Sequence, residues 1–93
     1  MKIAVFSTHS YDREYLLEVA GHHQFVFFEV QLNIDTVNLT QGFDAVCVFV
    51  NDYVGANVIE QLKKNGIKAI ALRCAGFNNV DLQAAKNANI VVV

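Results

Sequence analysis

The chain has 93 residues, 54% of them hydrophobic and 17% charged, with a formal net charge of −2. A chain of this size and composition forms one small domain, too apolar and too weakly charged to remain disordered. Seven basic against nine acidic residues leave no electrostatic footprint for nucleic acid.

Ile3-Ala4-Val5-Phe6 predicts a short buried strand, a continuous apolar run closed by polar residues. Because Ser7 ends this run so early, no signal peptide is read, and a cytoplasmic location is expected. Ser7-Thr8-His9 is the exit loop. Ser10 is placed to cap a helix, with Asp12 in its first turn and Tyr11, Tyr15, Leu16, Val19 and Ala20 on one face. Gly21 ends it. Phe25 to Val30 predicts a second strand, since aromatic and branched residues suit a pleated surface. Between Asn33 and Gly42, Asp35 is placed to cap a short helix through Val37 and Leu39.

Ala45 to Val50 is a third strand, apolar on both faces as in parallel sheets. It is the longest unbroken apolar run before the chain's end, far below the roughly 18 residues of a membrane span. Asn51-Asp52-Tyr53 leads out of it. Val54, Val58, Ile59 and Leu62 form the next helical stripe. Lys63 and Lys64 suit the dipole of its last turn, and Gly66 is its left-handed stop. Lys68 to Leu72 predicts the fourth strand and Arg73 to Asn78 a loop. Asn79 is placed to cap a further helix with Asp81 in its first turn and Val80, Ala84, Ala85 and Ala88 inward. Ile90-Val91-Val92-Val93 begins a fifth strand and has no polar tail, the ending expected of a cut chain. Strands and helices alternate with short loops, which predicts an α/β fold. The expected architecture is a flavodoxin-like parallel sheet of order 2-1-3-4-5 with helices on both faces.

In such a sheet, ligands bind beyond the carboxyl ends of the strands. The loops there are Ser7 to His9, Asn51 to Tyr53 and Arg73 to Asn79. No G-x-G-x-x-G is present: Gly21, Gly42, Gly55, Gly66 and Gly76 are never two apart. The first strand-to-helix turn has no glycine, so the domain alone is not expected to cradle a dinucleotide, and no phosphate-binding Walker loop is present. A phosphoacceptor receiver domain would share the fold. Asp52 roughly fits its aspartate, but Ser7, Thr8 and His9 lack the acidic residues it needs for a cation. Cys47 and Cys74 read as buried thiols, not a disulfide framework, and neither has a neighbouring partner for a metal site. His22-His23 reads as a solvated helix end, and His9 stands out only by lying on the functional edge.

Two readings stand for Arg73-Cys74-Ala75-Gly76-Phe77-Asn78-Asn79. Its small residues let a ligand approach the backbone, whose N–H groups hold an anion such as a carboxylate. Or the loop is only a tight turn whose glycine serves geometry.

The stretch Ile70-Ala71-Leu72-Arg73-Cys74-Ala75-Gly76-Phe77-Asn78-Asn79-Val80-Asp81-Leu82 resembles the fermentative D-lactate dehydrogenases of bacteria, members of the NAD-dependent D-2-hydroxyacid dehydrogenase family. Met1 to Thr8 with Tyr11-Asp12, and Ala45 to Asp52, are similar to the same proteins. The likeness is weakest between Glu29 and Gly42. It implies that residues 1–93 are the N-terminal part of a substrate (catalytic) domain, with the NAD-binding domain outside this chain. It implies hydride transfer from NADH to pyruvate, giving D-lactate. The amides of Ala75 and Gly76 would bind the substrate carboxylate. Phe49 falls where some members carry a pocket tyrosine, so its role would be packing around the substrate methyl. Arg73 is either a substrate contact or a structural partner at a strand end.

The family's catalytic arginine, glutamate and histidine, and its G-x-G-x-x-G, match no residue here. No catalytic residue is therefore assigned to this chain, no NAD is expected to bind it alone, and it is expected to be inactive. The partners expected are a small 2-keto or 2-hydroxy acid and the rest of the parent chain, with no nucleic acid and no membrane. Self-association through the last strand is a further expectation. The alternative is a stand-alone module that binds a small carboxylate or acts as a scaffold without catalysis.

Overall fold

The computed structural model describes residues 1–18, 21–73 and 79–93. Five parallel strands form one sheet in the order β2-β1-β3-β4-β5. They are β1 (Lys2–Val5), β2 (Gln24–Phe27), β3 (Ala45–Val48), β4 (Ala69–Leu72) and β5 (Val91–Val92). The helices are α1 (Ser10–Glu18), α2 (Ala56–Lys64) and α3 (Leu82–Asn87), and a short 3-10 helix, Val37–Thr40, links β2 to β3. The expected α/β fold and strand order are the ones observed. No helix among the described residues is long and apolar enough to cross a membrane.

Register explains the core. Val26, Ala4, Val46, Ile70 and Val92 stand in one row across the strands. Side chains alternate along a strand, so Phe6, Val48 and Leu72 share their face. This face packs on Val37, Val58, Ile59, Leu62, Val80 and Ala85. Right-handed crossovers put α2, α3 and the 3-10 helix on this side and α1 on the other. The opposite face is thinly covered. Val5, Ala45 and Cys47 are buried there, but Ile3, Phe25, Phe27, Ala69 and Ala71 remain partly exposed.

Helix α1 corrects the expected face. Tyr11 and Tyr15 are 61% and 65% exposed, and no described residue of α1 is fully buried. The inward positions are Asp12 and Leu16, one helical turn apart. A polar contact from Asp12, described below, sets this rotation and turns both tyrosines outward. Ser10 is the first helical residue, so it does not cap the helix from outside.

Two further capping expectations change. Asn33, not Asp35, organises the β2–β3 connection: its Oδ1 accepts from the backbone N–H groups of Asp35 and Thr36 at 2.9 and 3.1 Å. At α3 the cap is Asp81, whose carboxylate accepts from the Ala84 N–H at 3.0 Å. Val80 is still extended in a parallel bridge with Val54, so the helix starts later than expected. Asn79 is left for another task.

Gly66 ends α2 as expected, at φ 91°. Its N–H reaches the Lys63 carbonyl, and the Ile67 N–H reaches Leu62 at 3.0 Å, a Schellman closure. Asn89, at φ 60°, closes α3 in the same way through Lys86 and Ala85. Both closures drop the chain directly into the next strand.

Asp81→Ala removes the only side-chain cap seen on α3. It is expected to lower stability by about 1 kcal/mol, read from the midpoint and slope of a urea titration.

Candidate functional site

The carboxyl ends of β1, β3 and β4 meet at one edge of the sheet. Chain connections leave β1 and β3 toward opposite sides, and in open α/β sheets the crevice between two such exits is where ligands bind. His9 lies past the β1 end, Phe49 past the β3 end and Arg73 past the β4 end. Ala75 and Gly76, with Cys74, Phe77 and Asn78, lie outside the described residues.

Asp52 joins the exits of β1 and β3 to the segment that follows β2. It is only 2% exposed. Its Oδ1 accepts from the Ser7 hydroxyl at 2.6 Å and from the Leu32 N–H at 2.8 Å. Its Oδ2 accepts from the Phe49 N–H at 2.7 Å. Three donors on one buried carboxylate are short, charge-assisted bonds. Ser7 adopts φ 51°, a left-handed backbone uncommon for a residue with a side chain, and this bond supports it. The oxygens of Asp52 are thus engaged in holding loops. The receiver-domain role considered from sequence finds no support in this arrangement, and no group of three His, Cys, Asp or Glu among the described residues could hold a metal ion.

Asn79 locks the same loop from the side. Its side-chain amide donates to the Phe49 and Asp52 carbonyls at 2.9 and 3.0 Å. The residue read from sequence as a helix cap instead clamps the β3 exit against the chain entering α3.

Arg73 is anchored at several points. Its Nη1 lies 2.7 Å from Asp12 Oδ2, at ion-pair distance although the N–H is not aligned for a hydrogen bond. Its Nη2 donates to the Phe6 carbonyl and lies 3.4 Å from that of Ser7. The guanidinium also stands 5.4 Å from the Phe49 ring centroid. Both members of the pair are largely buried, Arg73 at 11% and Asp12 at 13% side-chain exposure.

Asp12 also accepts the His9 N–H at 3.0 Å and faces His9 Nδ1 at 3.2 Å. The backbone contact closes the first turn of α1 as the acidic member of a capping box does. Burial alone would raise the Asp12 carboxyl. The His9 N–H, the Arg73 charge and the His9 ring outweigh it and hold the group below its ordinary value of 3.8. His9 itself stacks on Tyr11 at 5.2 Å and meets Phe49 edge-on at 5.7 Å.

The expected site residues Phe49 and Arg73 are therefore brought together, and His9 joins them. The sequence marks Asp12 and Asn79 as helix-start residues and Asp52 as a rough phosphoacceptor match, whereas the structure gives all three a place in this network. Asp12 carried a usable signal, a carboxylate three residues after His9 at a helix start. Pairings such as Ser7 with Asp52 leave no local trace. Cys47 lies under this edge. Burial pushes its thiol up to about 11, with Arg73 opposing and Asp12 and Asp52 adding to the rise. Such a group behaves as a small hydrophobe. His22 and His23 are exposed at the entrance to β2, the other edge of the sheet.

The model of the D-isomer specific 2-hydroxyacid dehydrogenase catalytic domain matches residues 3–93. The chain belongs to this family. D-lactate dehydrogenase of Escherichia coli K12 is 52% identical over the whole chain, and the match covers 29% of that protein. The apo structure of the Escherichia coli D-lactate dehydrogenase superposes with a TM-score of 0.97 at 50% identity, over 100% of this chain and 30% of that one. An NAD-complexed D-isomer specific 2-hydroxyacid dehydrogenase from Lactobacillus delbrueckii ssp. bulgaricus gives a TM-score of 0.87 at 26% identity, over 99% of this chain and 29% of that one. The chain thus spans about 29% of the length of the Escherichia coli relative it matches.

The lowered carboxyl of Asp12 fixes the sign of a pH effect. Its stabilising contribution is complete above the unfolded value and is lost as pH falls through the lower folded value. Asp12→Asn is expected to lower stability by about 1–3 kcal/mol at neutral pH, the worth of hydrogen bonds to a charged group. The difference from the parent should close as the pH drops below 3.8, followed by urea unfolding at a series of pH values.

Proposed function

We propose that this chain is the N-terminal part of the substrate domain of an NAD-dependent D-lactate dehydrogenase, which reduces pyruvate to D-lactate. The observation that carries this reading is the 52% identity to the Escherichia coli D-lactate dehydrogenase along the entire chain. The site geometry is consistent with it. The crevice between β1 and β3 has an apolar wall in Phe49 and a buried cation in Arg73 at its floor.

In this reading the backbone N–H groups of Ala75 and Gly76 receive the substrate carboxylate. Phe49 packs against the methyl group. Arg73 contributes positive charge beside the loop, with its guanidinium anchored on Asp12 and on the carbonyls of Phe6 and Ser7. Asp52 and Asn79 hold Phe49 in place through its backbone N–H and carbonyl. NADH would supply the hydride, and no residue of this chain is assigned to holding it. The glycine-free turn Ser7-Thr8-His9 has nothing with which to cradle a pyrophosphate. The proton donor is assigned to the remainder of the parent chain, so the 93 residues alone are inactive.

The thin cover over one sheet face supports a larger parent. Ile3, Phe25 and Phe27 are partly exposed beneath α1, and further chain packing there would complete their burial.

The full-length protein should oxidise NADH with pyruvate and yield the D isomer of lactate, resolved by chiral chromatography. The isolated 93 residues should match the protein-free blank. Specific turnover by the isolated chain would overturn the assignment of the chemistry to the missing part.

Strand β5 is hydrogen-bonded to β4 on one side, and Val91 and Val93 are 60% and 71% exposed. An uncovered apolar edge strand templates pairing with another copy. The isolated chain should show a sedimentation coefficient that rises with concentration. A constant monomer value over a hundredfold range, ~1 to 100 μM, would count against pairing through β5.

A further inference from the structure

We propose that His9 is a specificity-determining residue, which favours 2-keto acids bearing a hydroxyl on C3 over those of equal size bearing only carbon. The inference rests on the reading of the β1–β3 crevice as a 2-keto acid site.

The position comes from topology. The connections from β1 and β3 diverge to opposite sides of the sheet, and the crevice between two such exits is where open α/β sheets take ligands. His9 and Phe49 stand on its two sides and touch, with ring centroids 5.7 Å apart and ring planes at 76°. A substrate group packed against Phe49 therefore lies beside the His9 imidazole. Phe49 reads the carbon skeleton. His9 is the polar group beside it.

The imidazole is also oriented. Its Nδ1 lies 3.2 Å from Asp12 Oδ2, and a carboxylate only accepts, so Nδ1 carries the proton. The backbone N–H of His9 binds the same oxygen at 3.0 Å, and one ring face stacks on Tyr11. Nδ1 is thereby occupied and Nε2 is left on the far edge of a ring that keeps 46% of its side-chain surface open. A neutral imidazole then accepts a hydrogen bond at Nε2, and a protonated one donates there. A hydroxyl can answer either state, because it both donates and accepts. A methyl group can answer neither. Arg73, 2.7 Å from Asp12, balances the carboxylate behind the ring, so the oxygen of the substrate meets no uncompensated negative charge.

The test compares two substrates of equal size in the full-length protein. Hydroxypyruvate and 2-oxobutyrate differ only in an oxygen for a methyl on C3. The readout is the ratio of their kcat/KM values with NADH, in the parent, His9→Phe and His9→Gln. Phe should lower the ratio for hydroxypyruvate about five- to tenfold, the size of one hydrogen bond. Gln, whose amide also donates and accepts, should retain most of it. An unchanged ratio in His9→Phe, with both substrates turned over, overturns the inference alone. A Gln variant as impaired as Phe overturns the hydrogen-bonding role. A parent protein that turns over no 2-keto acid overturns the site reading itself, and the inference with it.

Discussion

One buried carboxylate holds the functional edge together. Asp52 takes donors from the exits of β1 and β3 and from Leu32, beyond the end of β2. A parallel sheet leaves its strand ends unpaired at this edge, and buried N–H groups need acceptors. A single side chain accepts from two of those N–H groups and from the Ser7 hydroxyl. Without it, the Leu32 and Phe49 amides would be buried without their partner, each at a cost of about 1–3 kcal/mol. The left-handed Ser7 would also lose the bond that stabilises its turn. Catalytic edges of α/β proteins carry loops, and here the loops are fixed by a polar network, not by apolar packing.

That network divides labour with the core beneath it. The face carrying Val46, Val48, Ile70 and Phe6 is covered by α2 and α3 and is fully buried. It sets where the strands end. Asp52, Asn79 and Arg73 then set where the chain goes after each end. Phe49 receives input from all three, through its N–H, its carbonyl and its ring. Its side chain is placed by constraints from strands that are far apart in sequence.

Much of the fold was legible in the chain. Apolar runs such as Ala45 to Val48 and the stripe Val58, Ile59, Leu62 carry their own periods, and Gly66 marks a helix end by conformation alone. The strand order followed from alternation and crossover handedness. Legibility ended where a polar side chain had several partners in reach. Asn79 looks like a cap from its neighbours, yet its amide serves carbonyls on another loop. Tyr11 and Tyr15 look like core from their hydrophobicity, yet the Asp12 contacts rotate them outward. Phe49 and Arg73 stand out through the family resemblance, and the structure places them side by side. Asp12 forms its decisive contact with a residue 61 positions away, a distance local patterns do not record.

The Asp12–Arg73 pair also ties the site to the least buried element of the molecule. Helix α1 has no fully buried residue among those described, and its polar contacts at Asp12 do much of the work of seating it. Arg73 stands at the end of β4. The pair therefore fastens the start of α1 to the end of β4, and a substitution that breaks it removes a contact from both at once. One charge pair thus serves as the fastening between a lightly held helix and the end of a central strand.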